Sequence, residues 1–133
     1  MNYALITGAS KGIGKEMALE LASRKCNLVL VARSEDALNK LSTEIKALHG
    51  VECNYVLADL TDQQGINKVI QYIEEKKLPI NILINNAGYG LWGSLEQTAL
   101  KKTKDMMQIN MMTPVEMTYR MIPILKSSGQ QAY

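Results

Sequence analysis

The sequence predicts an α/β fold: a partial doubly wound parallel sheet of strand order 3-2-1-4, with helices on both faces. Three observations lead there. Short, apolar, β-prone runs alternate along the chain with longer runs whose apolar residues recur at three and four. Gly8, Gly12 and Gly14 fall between the first of these strands and its helix, and Asn85-Asn86-Ala87-Gly88 stands at the end of a later apolar strand. Strands that alternate with helices pair in parallel through right-handed crossovers.

The elements follow in order. Tyr3–Thr7 reads as the first strand, and Ile13–Arg24 as its helix, with Met17, Leu21 and neighbouring alanines facing inward. Asn27–Ala32 is a continuous apolar run, as expected of a strand buried on both faces. Ser34 then caps a helix from Glu35 to about His49, built on Leu38, Leu41, Ile45 and Leu48 and stopped by Gly50. Glu52–Ala58 is the third strand. Thr61 or Asp62 starts the next helix, with Ile66, Val69, Ile70 and Ile73 inward and Pro79 after its end. Ile80–Asn85 is the fourth strand. A polar loop through Gly90 and Gly93 leads to a short helix near Leu95–Leu100, and a last helix runs from about Thr103 to Lys126. Residues 129–133 look like a turn feeding a fifth strand. The fourth strand would then be an open apolar edge, a template for pairing with another chain.

Composition sets bounds. The 133 residues make one domain, 1–133, with 47% hydrophobic and 21% charged residues, as in ordinary soluble proteins. A net charge of +2, with no basic run interleaved with aromatics, argues against nucleic acid and acidic membranes. Apolar stretches are strand-sized, and the first strand leaves no room for a signal peptide. Cys26 and Cys53 read as buried, reduced thiols, and a single histidine, His49, argues against a metal site. The expected compartment is the cytoplasm.

The glycine turn carries the first chemical reading. Gly8 permits a sharp exit from the strand, while Gly12 and Gly14 keep side chains off a bound pyrophosphate and let the helix approach the sheet. The helix N-terminus adds partial positive charge there. Gly8, Ser10, Lys11, Gly12, Ile13 and Gly14 are therefore candidate binding residues for a dinucleotide; a glycine-rich loop of purely local purpose is the alternative. Cofactor choice rests on the tip of the second strand. There Val31-Ala32-Arg33-Ser34 offers no acid for the ribose hydroxyls, and Arg33 with Lys11 can face a 2′-phosphate. NADP(H) is preferred over NAD(H), unless both cations are simply solvated. Asn110 has Pro114 four residues later, so its carbonyl loses an intrahelical donor and is free to hold water at a bend. Met106, Met107, Met111, Met112, Met117 and Met121 crowd the same helix, as core packing does. Trp92 either lines a substrate pocket or covers the sheet end.

Thr7-Gly8-Ala9-Ser10-Lys11-Gly12-Ile13-Gly14, Asp59, Asn85-Asn86-Ala87-Gly88 and Asn110, in this order and spacing, resemble the short-chain dehydrogenase/reductase family along the whole chain. The resemblance implies an NAD(P)-binding, Rossmann-like domain. It also implies that Asp59 accepts from the adenine amino group, with Leu60 beside the ring. Asparagine side chains at the end of the fourth strand can tie neighbouring strands together, and small Ala87 and Gly88 leave space for the cofactor ribose, so Asn86, Ala87 and Gly88 are candidate cofactor-binding residues. By the likeness Asn110 holds a water of a proton relay. The alternatives are loop solvation or capping for Asp59, a turn for the asparagines, and a polar residue beside a kink for Asn110. The family's catalytic Ser and Tyr-x-x-x-Lys lie in its second half, and neither Tyr119 nor Tyr133 is followed by Lys at the fourth position. The expectation is the cofactor-binding half of an NADP(H)-dependent oxidoreductase acting on a small carbonyl or alcohol substrate. The alternative is a non-catalytic NADP(H)-binding module, or a half-domain completed by a partner. The Met-rich helix is often a dimer face in the family, so a homo-oligomer, or strand pairing through the open edge, is a further expectation.

Overall fold

The computed structural model describes residues 1–133. Four strands, β1 (Tyr3–Thr7), β2 (Asn27–Ala32), β3 (Cys53–Leu57) and β4 (Ile82–Ile84), form one parallel sheet in the order β3-β2-β1-β4. Between them run α1 (Gly12–Ser23), α2 (Glu35–His49) and α3 (Gln63–Lys76). After β4 come a single 3₁₀ turn at Leu95–Gln97, α4 (Leu100–Met107), a π-turn at Gln108–Met112 and α5 (Thr113–Ser127). No helix is long and apolar enough to cross a membrane.

The apolar runs explain the layering. Alternate residues of β1 and β2 point to opposite faces, and both strands are buried on both. One face packs Ala4, Ile6, Leu28 and Leu30 against Ala18 and Ala22 of α1 and Leu38, Leu41 and Ile45 of α2. The other packs Leu5, Val29 and Val31 against Ile66, Val69, Ile70 and Ile73 of α3 and Met117 and Met121 of α5. Each Leu, Ile, Val or Met among them, fully buried, contributes about 1.5–3 kcal/mol of transfer free energy. The thiols of Cys26 and Cys53 are buried and unpaired, and burial pushes both above their ordinary range.

Helix ends follow the local residues. Ser34 Oγ accepts from the Ala37 N–H at 3.4 Å, and Gly50 closes α2 in the left-handed region. Of the two candidates for the start of α3, Asp62 is the cap, accepting from the Gln64 N–H at 3.1 Å. The regular ladder of β4 is shorter than the apolar run Ile80–Asn85. At either end the backbone turns on itself, Ile80 N–H donating to Leu78 and Asn86 N–H to Ile84.

Five expectations are corrected. Met17 is not on the inner face of α1; small residues, Gly14, Ala18 and Ala22, fill the close approach to the sheet, and Met17 lies outside, 40% exposed. It joins Ile13, Leu21 and Ile84 in an apolar depression on that flank. The expected helix near Leu95–Leu100 is only a 3₁₀ turn, and α4 starts at Leu100, its first turn closed by Thr103 N–H on the Ala99 carbonyl. The expected last helix runs without a break from Leu100 to Ser127, but where a simple bend was expected it widens into a π-turn just before Pro114, which divides it into α4 and α5. The methionines divide: Met117 and Met121 are core, whereas Met107, Met111 and Met112 are exposed, since the widened turn leaves their side facing outward. The apolar edge of β4 is partly covered. Tyr133 N–H donates to the Asn81 carbonyl and Leu83 N–H to the Tyr133 carbonyl, both at 2.9 Å, the first rung of a further parallel pairing.

Candidate functional site

The strands of a parallel sheet all end on one side, and here their C-terminal ends open into a cleft of about 810 Å³. Gly8, Ser10, Lys11, Gly12, Ile13, Arg33, Asp59, Leu60, Asn86, Ala87 and Gly88 line it. Gly14 lies beneath the lining, and Asn110 stands behind it, with Ile109 at the wall.

Local chemistry explains how these pieces are held. Thr7 ends β1 and is 2% exposed. Its Oγ1 accepts from the N–H groups of both Asn86 and Ala87 at 3.0 Å and faces the Ile84 carbonyl at 3.4 Å. Asn86 Nδ2 donates to the Gly8 carbonyl at 3.0 Å, tying the end of β4 to the end of β1. Gly8 has φ of +66°, and a Cβ there would meet Ala87 Cα at 2.8 Å. A Cβ on Gly14 would collide with the Gly8 carbonyl and the Asn86 amide, whereas around Gly12 nothing lies within 4 Å. Gly14 therefore serves packing, and Gly12 leaves the cleft open. Thr7→Val keeps the shape but leaves two N–H groups without their acceptor. It is expected to lower the unfolding free energy by about 2 kcal/mol. Thr7→Ser should recover most of that loss in urea melts; a valine variant within about 0.5 kcal/mol of wild type would contradict the assignment.

The first turn of α1 points into this cleft and differs from its neighbours. Helices α2 and α3 have side-chain caps, but Lys11, before α1, makes none, and no acid stands in the first turn. Its first N–H groups and partial positive charge are available to an anion. Lys11 and Arg33 are both exposed at the rim. Across from them, the hydroxyl and N–H of Thr61 both donate to Asp59 Oδ1, at 2.7 and 3.0 Å. These bonds, the hydroxyl foremost, with the cations of Arg33 and Lys101, hold the Asp59 carboxyl below its ordinary range. It is an ionised, acceptor-only group at neutral pH.

Asn110 sits in the π-turn. Its Oδ1 accepts from the Tyr89 N–H at 3.0 Å and its Nδ2 donates to the Tyr89 carbonyl at 2.7 Å. A Cβ on Gly88 would meet that Oδ1 at 2.5 Å. The side chain thus clamps the segment after Asn85-Asn86-Ala87-Gly88, while its own carbonyl has no N–H from Pro114 to accept.

A family model described as short chain dehydrogenase matches residues 2–132. The chain belongs to that family. The very-long-chain 3-oxoacyl-CoA reductase of Kluyveromyces lactis is 34% identical over 128 residues, covering 95% of this chain and 37% of that protein. A probable short-chain type dehydrogenase/reductase of Helicobacter pylori is 33% identical over 124 residues, covering 93% and 43%. Among solved structures, an alcohol dehydrogenase from Comamonas testosteroni specific for bulky-bulky ketones matches with a TM-score of 0.89 at 32% identity, over 98% of this chain and 52% of that one. A short-chain dehydrogenase from Sphingobium yanoikuyae in complex with NADPH matches at 0.90 and 32%, over 98% and 51%. This chain spans about half the length of these solved relatives and less than half of the curated ones.

Sequence reasoning missed several features of this chain. Thr7 was legible as part of the glycine motif, but its long-range hydroxyl bonds were not. Asn85 reaches Thr118 of α5, Nδ2 to Oγ1 at 3.0 Å. Tyr72 and Lys76 in α3 also satisfy the Tyr-x-x-x-Lys spacing. They lie at the opposite end of the sheet from the cleft: Tyr72 packs on the core cluster of Tyr3 and Ile73, and burial pushes its phenol up, the wrong direction for a proton donor at neutral pH. Trp92 is fully exposed and covers no part of the sheet end.

Proposed function

We propose that this chain is the cofactor-binding half of an NADP(H)-dependent oxidoreductase that transfers hydride between the nicotinamide and a small carbonyl or secondary alcohol. The observation that carries the reading is the uncapped N-terminus of α1 opening into a cleft whose rim bears Lys11 and Arg33 and no acid at the tip of β2. The residues present fit the cofactor. The free N–H groups of the first turn of α1 suit a pyrophosphate, and open space over Gly12 admits it. Lys11 and Arg33 suit a 2′-phosphate, which NAD(H) lacks. Asp59 Oδ2, with no protein partner, suits the amino group of adenine, and the buried Leu60 suits the ring.

Bound NADPH would supply the hydride; the chain's own residues bind and orient. Asn110 keeps the Gly88–Tyr89 backbone at the inner end of the cleft and presents a carbonyl able to order a water. The NADPH complexes among its solved relatives support the same cofactor. The names of the curated relatives make a 3-oxoacyl thioester one candidate within the carbonyl class. The cytoplasm, expected from the two reduced thiols, belongs to this reading too.

The test is a fluorescence titration of the protein with NADPH and NADH under identical low salt. NADPH should bind at least tenfold tighter, as charge-assisted hydrogen bonds to one extra phosphate imply. Equal affinities, or tighter NADH, would contradict the cofactor assignment.

A further inference from the structure

The π-turn between α4 and α5 is fastened to both walls of the cleft. On the inner side Asn110 clamps the backbone of Tyr89. On the other side Thr113, the first residue of α5 and 2% exposed, donates from Oγ1 to the Leu60 carbonyl at 2.5 Å. That hydroxyl also accepts from Gln108 Nε2 at 3.2 Å, so the π-turn is closed across its own width by the same oxygen. Leu60 lies outside every strand and helix ladder, and no loop N–H reaches its carbonyl; Thr113 is the donor it has.

The segment Asp59–Leu60 is held from below by α3. Asp59's carbonyl accepts from the Asp62 N–H at 3.3 Å, and Gly65 packs so closely that a Cβ would overlap that carbonyl. These contacts fix Asp59 from one side. From the other side the Leu60 side chain packs in the core cluster with Ile66 and Met117, and Thr113 supplies the hydrogen bond to its carbonyl, across 53 residues of sequence.

We infer that Thr113 is a positioning residue for the adenine wall of the cleft. Its hydroxyl sets Leu60, and with it the adjoining Asp59 carboxylate, relative to the helix junction that carries Asn110. One turn of chain therefore registers the adenine end and the inner end of the cleft against each other. The inference rests on the dinucleotide reading above and assigns to it a residue that makes no direct contact with the nucleotide.

The experiment compares NADPH with its hypoxanthine analogue, in which a ring carbonyl replaces the 6-amino group that Asp59 would accept from. Affinities are measured by calorimetry on the full chain. Wild type should prefer NADPH by about tenfold, the effect of one hydrogen bond to a charged acceptor. Thr113→Val should bring the preference below about twofold, and Thr113→Ser should keep it. Thr113→Ala replaces the valine variant if that fails to fold. A merely structural role would weaken both nucleotides alike and leave their ratio unchanged; an unchanged ratio in the valine or alanine variant overturns the inference alone. Wild-type protein that binds neither nucleotide overturns the cofactor reading and this inference together.

Discussion

Replacing Gly14 with alanine is expected to abolish NADPH binding and to destabilise the fold, although alanine is the better helix former. Inside a helix the exchange gains about 1 kcal/mol of propensity. Against this, the new Cβ would enter the Gly8 carbonyl and the Asn86 amide, neither of which can yield without moving the glycine turn. Overpacking of this kind costs about 1–3 kcal/mol and more when backbone must shift. The net effect should be a loss of about 1–2 kcal/mol in urea melts. NADPH affinity should fall well beyond that loss, because the displaced turn carries the N–H groups of α1. Gly12→Ala is the informative control. No protein atom surrounds it, so its cost in stability is confined to a positive φ, about 1–2 kcal/mol, while its Cβ would still narrow the space left for the pyrophosphate. A Gly14→Ala variant with wild-type melting and NADPH binding would show that the turn is more pliant than its contacts indicate.

The second large effect concerns cofactor choice. Removing both rim cations, Lys11→Ala with Arg33→Ala, should weaken NADPH by about a hundredfold or more, at roughly 1.5–3 kcal/mol for each charge-assisted bond lost. NADH affinity should hardly change, since it offers no phosphate at that position. Both cations are exposed, so the wild-type preference should also narrow as salt is raised through the range where the screening length falls below about 10 Å. Calorimetric titrations of the two cofactors at two salt concentrations measure both effects. Parallel loss of NADPH and NADH would mean that the cations support the turn generally and do not read the 2′-phosphate.

Elements whose cause is local were legible in the sequence. β1, β2 and α2 follow from continuous apolar runs, a serine cap and a glycine stop, and the structure places them on the residues read. The lining of the cleft was legible too, because glycines and an Asn-Asn-Ala-Gly segment at strand ends must meet where a parallel sheet opens. What escaped depends on contacts distant in sequence. The two N–H groups held by Thr7 lie about 80 residues away, and the carbonyl held by Thr113 lies 53 away. A threonine hydroxyl in a strand or at a helix start carries no mark of such a partner. Met17 was misplaced for another reason. Helical spacing makes it equivalent to Leu21, but α1 approaches the sheet so closely that only glycine and alanine fit between them. Pro114 announced a disturbance after Asn110, yet proline identity alone does not distinguish a bend from a widened π-turn.

The central claim is that the uncapped first turn of α1 receives the phosphates of NADP(H). Backbone amide shifts from isotope-labelled protein titrated with NADPH test it most directly. The account predicts the largest shifts at the N–H groups of Gly12, Ile13 and Gly14, with Arg33 and Asp59 following at the same nucleotide concentration. Shifts that spare this turn and gather instead along the outer, apolar flank of α1 around Met17 and Leu21 would contradict it.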